Sequence, residues 1–294
     1  RGMHKNLLSL EKTLLQLEKA NPSIVADAKI ALRLYCQIRT TPEKCSIYLD
    51  TYAKQNVRCV QCKSKISAST QEPILICAVK DDLAKIQMQL DHHRKLGITH
   101  FVYIDNMSTD GTYEWLLEQD VDVYRTDDDF SAIAKNAWFR QITDRYGYDR
   151  WYLVLDSDEL FVYPGMEQSP ISTFTRFLET QRLSMVQSFL IDMYPKGDDI
   201  LSQRSDSRDY LDIRREYRYF DTESYSTKQT YKGVNILGGP RARCFSEEGK
   251  KFSPLLTKNP LMKIQGTDVF GVHRSLPYSK NSGIPIAAGL LHYK

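Results

Sequence analysis

The stretch WYLVLDSDELF, residues 151–161, decides the fold. An apolar and aromatic run ends at Leu155, and Asp156, Asp158 and Glu159 follow at once. Acid clusters of this kind commonly mark a solvated surface turn. A short apolar run bounded by turn residues equally fits a buried strand of a parallel sheet. The acids would then stand at the strand's carboxyl end, where open α/β sheets bind ligands.

The flanking segments separate the two readings. ILICAV (74–79), HFVYI (100–104) and VDVYR (121–125) are further short apolar runs. Between them lie DDLAKIQMQLDHHRKLG (81–97), TYEWLLEQ (112–119) and SAIAKNAWFRQITDRYG (131–147), which have helical spacing. The first and last of these stop at a glycine, a helix-terminating signal. Strand and helix in regular alternation predict right-handed βαβ units, hence an α/β fold with a mostly parallel sheet and helices on both faces. Every strand end then carries acids, at Lys80 to Asp82, Asp105 to Gly111, Asp127 to Asp129 and Asp156 to Glu159. Four repetitions favour a ligand site over chance surface charge.

Asp156 and Asp158 at a strand-to-loop corner suit a hard divalent cation, Mn²⁺ or Mg²⁺, which can in turn grip a diphosphate. Asp105, at the mouth of the second strand, can accept hydrogen bonds from ribose hydroxyls or a base. The rest of DNMSTDGT (105–112) reads as a turn at Asp110-Gly111 with capping residues. No GxGxxG and no GxxxxGK[ST] motif occurs, which disfavours dinucleotide and P-loop chemistry.

The composition is that of an ordinary globular protein, 41% hydrophobic and 26% charged over 294 residues. A net charge of +3 without a basic stripe argues against nucleic-acid binding. No apolar run is long enough to span a bilayer and no signal-peptide core is present, so the expected location is the cytoplasm, with at most peripheral contact at the inner face of a membrane. Arg1 and Gly2, which precede Met3, are left out of the fold reading. Six cysteines without secretory signals predict reduced thiols; Cys36, Cys45, Cys59 and Cys62 have an irregular spacing for zinc.

Residues 1–70 form a different region. HKNLLSLEKTLLQLEKA (4–20) places Leu7, Leu10, Leu14 and Leu17 on one helical stripe. Further helices are expected over 24–39 and 42–55, followed by the linker KSKISASTQEP (63–73). The stripe could pack on its own protein, form a homodimer or touch a membrane surface. The expected division is a helical accessory region at 1–70 and a catalytic domain at 71–294.

Read together, CAVKDDLAKIQMQLDHHRKLGITHFVYIDNMSTDGT, WYLVLDSDELF, GGPRARCF, LLTKNPL and GLLHYK resemble a family 2-like glycosyltransferase with the GT-A fold, a Rossmann-like nucleotide-diphospho-sugar transferase. The acidic motif is of the bacterial D-x-D-E type, and the resemblance covers about residues 74 to 294. It implies a nucleotide-sugar donor, UDP-hexose by family frequency, with Ala78, Val79, Lys80 and Asp105 holding the nucleoside. Asp156, Asp158 and the C-terminal His292 would bind the metal. Arg241 and Arg243 of a glycine-preceded loop, with Lys258 and Lys294, could contact diphosphate oxygens. Relatives commonly continue into another helix beyond this last motif.

The implied reaction is transfer to a hydroxyl of a glycan or lipid-linked acceptor in surface polysaccharide or lipopolysaccharide synthesis, with inversion, by one in-line displacement. It needs a general base. Asp192 is the first candidate, then Glu159, His273, Glu247 and Glu248. The tyrosine-rich segment 210–233 reads either as an acceptor-side loop or as a strand pair. A nucleotidyltransferase or a non-catalytic sugar-nucleotide binding module are the competing classes.

Overall fold

A computed structural model describes residues 57–62, 69–196, 210–230, 233–246, 252–265, 268–270, 273–276 and 283–293. The three N-terminal helices expected before residue 57, most of the linker, Cys36, Cys45, Glu247, Glu248 and Lys294 lie outside the described residues.

The alternation read from the sequence is present. β2 (Ile74–Val79), α1 (Leu83–Lys95), β3 (Phe101–Asp105), α2 (Thr112–Glu118), β4 (Asp122–Arg125), α3 (Ala132–Tyr146) and β5 (Arg150–Asp156) follow in order. After them come β6 (Glu159–Val162), α4 (Ile171–Thr180), β7 (Met185–Asp192), α5 (Tyr210–Glu216), β8 (Tyr225–Thr230), β9 (Gly233–Gly238), α6 (Gly239–Phe245), β10 (Thr257–Ile264), β11 (Val269–Phe270), β12 (Ser275–Leu276) and β13 (Ile286–His292). β1 (Arg58–Gln61) precedes them all and pairs antiparallel with β4.

The nine-stranded main sheet has the order β1-β4-β3-β2-β5-β10-β7-β13-β6. β4, β3, β2 and β5 are mutually parallel, and β13 lies parallel to β7. β10 enters antiparallel between β5 and β7, and β6 is antiparallel to β13. The architecture is the expected α/β, Rossmann-like class, with helices covering both faces.

Side chains alternate across a strand, so each run supplies two cores. Leu75, Cys77, Leu153 and Leu155 face Ile86 and Leu90 of α1, Leu116 of α2, and Phe174 and Leu178 of α4. Ile74, Ile76, Tyr152 and Val154 face Trp138, Phe139 and Ile142 of α3 on the opposite side. The continuous apolar character of ILICAV and WYLVL is the mark of strands buried on both faces.

Three sequence expectations change. Cys59 and Cys62 are joined by a disulfide, so these two are not the free thiols that the lack of secretory signals suggested. Segment 210–233 begins with the helix α5 and continues into the β8–β9 hairpin, rather than forming one loop or one strand pair. GGPRAR is the start of α6 rather than a loop, and at Gly238 (φ 113°) a side chain would run into the Ser224 carbonyl. The glycine there admits the protein's own backbone.

Candidate functional site

Parallel register fixes the site's floor. Val79 pairs with Asp105 and Ala78 with Asp156, so three neighbouring strands bring these ends side by side. Adjacent strands stand about 4.8 Å apart, which is a nucleotide's scale over three of them. The loops above are tied together: Ser108 Oγ accepts from the Asp81 amide at 2.9 Å, and Asp81 Oδ1 accepts from the Thr109 amide at 2.6 Å. Asp110 accepts from Leu83 N at 3.1 Å and from Thr112 N at 2.9 Å, the structural capping role read from its turn. Lys80 is exposed at the rim.

Asp105 differs from its expected position facing the ribose. It is fully buried, accepts from Ser108 N at 3.2 Å and pairs with Arg125 Nε at 3.2 Å. Burial pushes its carboxyl up, against those partners. Arg125 in turn lies over the Tyr113 ring, 3.8 Å from its centroid. The acid shapes this wall from behind.

The DSDE corner separates into three roles. Asp156 has 40% of its side chain exposed, so a ligand can reach it, yet both its oxygens already meet ammonium groups: Lys135 Nζ at 2.6 Å and Lys258 Nζ at 3.0 Å. Burial would raise its carboxyl, but the Lys258 and Lys135 charges prevail and hold it well below the usual carboxylate range. Glu159 is buried inside β6, 2.6 Å from Lys258 Nζ, and accepts from the Asp156 amide at 2.9 Å. Lys258 thus bridges two carboxylates; burial works against its charge, and the two acids override that. Gln89 Nε2 donates to the Asp156 carbonyl at 2.7 Å, clamping the corner from α1.

Asp158 faces the other way. Its Oδ2 is 3.2 Å from His292 Nε2, and His292 Nδ1 is 2.6 Å from Asp192 Oδ1. Asp192 Oδ2 takes Arg241 Nε at 2.8 Å. The result is a continuous chain, Asp158–His292–Asp192–Arg241, assembled because β13 places His292 in register with Asp192 on β7 and Glu159 on β6. Burial would lower the imidazole, but Asp158 and Asp192 overcome it and push it up to about 9. Arg241 Nη2 is buried with no hydrogen-bond partner among the described residues.

The base candidates fare unequally. Asp192, the first choice, has one oxygen on His292 and the other on Arg241, so it is not a free acceptor. Glu159 is 3% exposed and committed to Lys258 and the Asp156 amide. His273 Nδ1 is 3.0 Å from the Thr257 carbonyl. A carbonyl only accepts, so Nδ1 carries the proton and Nε2 keeps its lone pair. Burial and then the Lys258 charge lower this histidine to about 4, leaving it neutral at pH 7.

A divalent cation suits part of this set. Among the described residues no three His, Cys, Asp or Glu side chains converge as a metal site. Two do: Asp158 and His292. Donors held at about 2.0–2.1 Å by an octahedral cation stand about 2.9 Å apart when adjacent, close to the 3.2 Å seen here. His292 also donates from its other nitrogen to Asp192, the carboxylate–histidine arrangement that orients metal ligands. Two protein donors are sufficient where phosphate oxygens and water complete the shell. Asp156, paired with two lysines, departs from the expected ligand pair.

Lys135, Gln89 and the His292–Asp192 pairing were not foreseen. Lys135 carried one weak signal. It lies within the first turns of α3, whose N-cap is Ser131, where a cation opposes the helix dipole.

No family model and no curated protein matches the chain. Among solved structures it is similar to the mannosyltransferase PcManGT from Pyrobaculum calidifontis, in complex with GDP-Man and Mn²⁺, at 15% identity and a TM-score of 0.30, covering 60% of this chain and 49% of that one. The chain therefore spans about half the length of that mannosyltransferase. It is also similar to a nucleotidyl transferase from Methanothermobacter thermautotroptrophicus, at 12% identity and a TM-score of 0.27, covering 56% of this chain and 68% of that one. Among the described residues no helix is long and apolar enough to cross a membrane.

Proposed function

We propose that this chain is a metal-dependent glycosyltransferase of GT-A type, moving a sugar from a nucleotide-sugar donor, UDP-hexose by preference, to a hydroxyl of a glycan or lipid-linked acceptor. The observation that carries this reading is the Asp158–His292 pair, 3.2 Å apart and backed by Asp192, at the carboxyl ends of the parallel strands. In this reading the nucleoside would lie beside it at the ends of β2, β3 and β5, near Ala78, Val79 and the Arg125–Tyr113 pair.

Charge supports the reading. The acids Asp82, Asp156, Asp158, Glu159 and Asp192 face Lys85, Lys135, Lys258 and Arg241, and His292 adds a fifth positive charge until a dication displaces the proton on its Nε2. A site so balanced is best complemented by an electroneutral pair, a diphosphate together with a dication. Asp158 and His292 would hold Mn²⁺ or Mg²⁺, which when bound neutralises a diphosphate leaving group. Arg241, whose Nη2 has no hydrogen-bond partner among the described residues, would donate to a phosphate oxygen. His273 is the base candidate with a free nitrogen, and Asp192 is a positioning residue for His292.

Calorimetric titration with UDP and with GDP, each with and without Mn²⁺, tests the reading. Nucleotide binding that requires Mn²⁺ and disappears in Asp158→Ala is the expected outcome. Binding indifferent to both metal and Asp158 defeats it. His273→Gln should then lower turnover while leaving nucleotide binding intact.

A further inference from the structure

The two lysines on Asp156 are not equivalent. Lys258 projects from the central strand β10, its side chain is 7% exposed, and it is held by two carboxylates at 2.6 and 3.0 Å. Removing it from Asp156 would still leave it bound to Glu159. Lys135 projects from a helix, meets Asp156 alone at 2.6 Å, and is 12% exposed. The ring of Phe130, itself 61% exposed, has its centroid 5.9 Å from the ammonium. Its four-carbon stem gives it freedom that a doubly paired, strand-borne lysine lacks.

Asp156 Oδ1, the atom Lys135 holds, belongs to the most accessible acid of the DSDE corner. Asp156 stands two residues from Asp158, close enough for the two charges to interact, so the Lys135 ammonium repels a dication arriving at Asp158 and His292 and attracts an incoming diphosphate. From this geometry we infer that Lys135 is an exchangeable cation. It holds Asp156 when no donor is bound, and it leaves Asp156 for the donor diphosphate when the carboxylate turns toward the dication. Lys135 so couples the two arrivals: metal alone is disfavoured, and metal with diphosphate is favoured. The inference rests on the glycosyltransferase reading and adds a residue that neither the acidic motif nor the C-terminal histidine supplies.

The coupling gives opposite signs for two measurements on one variant. In Lys135→Met, Mn²⁺ alone should bind about tenfold more tightly, because a like charge has gone. It would be followed by loss of the free-ion electron paramagnetic resonance signal. At saturating Mn²⁺, UDP or GDP should bind about tenfold more weakly, because a phosphate partner has gone. Lys135→Gln, which keeps a hydrogen-bond donor but no charge, should behave in the same way and serves if the methionine variant does not fold. Lys135→Arg should restore both affinities toward wild type. A general loss of site structure would weaken both ligands together, and that result overturns the inference, as does no change in either. If wild-type protein binds no nucleotide with Mn²⁺, the function reading fails and takes the inference with it; if wild type binds and Lys135→Met is unaltered, only the inference fails.

Discussion

The two halves of the sheet contribute to the site in opposite ways. The parallel half, β4-β3-β2-β5, brings acids: Asp82, Asp105 and Asp156 all follow or close a strand that leads directly into its loop. The mixed half, β10-β7-β13-β6, carries what answers them: Lys258 on β10, Asp192 on β7 and His292 on β13. Local βα units therefore supply acids together with near cations, Lys85, Arg125 and Lys135, and strands brought in from far along the chain add Lys258 and the Asp192–His292 pair. A site built this way is complete only when both halves are folded against each other.

The hardest way to break that division is to remove Lys258. Lys258→Met leaves the buried Glu159 without its Lys258 partner and Asp156 with Lys135, and truncating one member of a buried ionic group costs about 3–5 kcal/mol. Urea denaturation should show the midpoint falling accordingly; a change under about 1 kcal/mol would mean that the mixed half does not supply the neutralising charge.

His292 gives the next effect through pH. Its imidazole is pushed up to about 9, against about 6.5 in an unfolded chain. A raised folded value means that the proton stabilises the fold. That contribution is complete below about pH 6.5 and is lost as pH rises through 9. Thermal melts between these values should show wild type losing stability relative to His292→Gln, with the difference vanishing at the alkaline end. A constant difference across the range would deny that Asp158 and Asp192 hold a charged imidazole.

Gly289→Ala probes packing in the same half without touching charge. A Cβ on Gly289 would come 2.9 Å from Val162 Cγ2 on β6. Overpacking of this kind costs about 1–3 kcal/mol, and the shift should appear in the denaturation midpoint. Ser131→Ala has the smallest effect and acts on the parallel half. Ser131 Oγ accepts from the Ala134 amide at 3.0 Å, and an N-cap lost to alanine costs about 1 kcal/mol. Circular dichroism melts would resolve it.

The same division explains what the sequence disclosed. In the parallel half, strand, turn and helix signals are contiguous, so ILICAV, HFVYI, VDVYR and WYLVL could be placed and the acids at their ends recognised. The mixed half hides its strands. β10, TKNPLMKI, contains a proline that local reading sets against a central strand, and the structure accommodates it at a register shift between Lys258 and Leu261. β13, IAAGLLH, is rich in Ala and Gly, which have weak strand preference. Glu159 seemed to be the third acid of a surface cluster, but it opens a buried strand. The roles of Asp192 and His292 depend on a pairing across 100 positions, which no local spacing encodes.

β13's position has a consequence for assembly order. Among the described residues β6 is bonded in the main sheet to β13 alone, and β13 is inserted between it and β7. Until that strand arrives, the segment directly after the DSDE corner has no neighbour to pair with, and Asp158 has neither His292 nor the Tyr293 amide that donates to its carbonyl at 2.9 Å. Because such long-range pairing is slow to form, the parallel half should gather first, leaving an open strand slot beside it. Insertion of β13 would close that slot, and the Asp158–His292–Asp192 chain would be acquired in the same late step as native compactness.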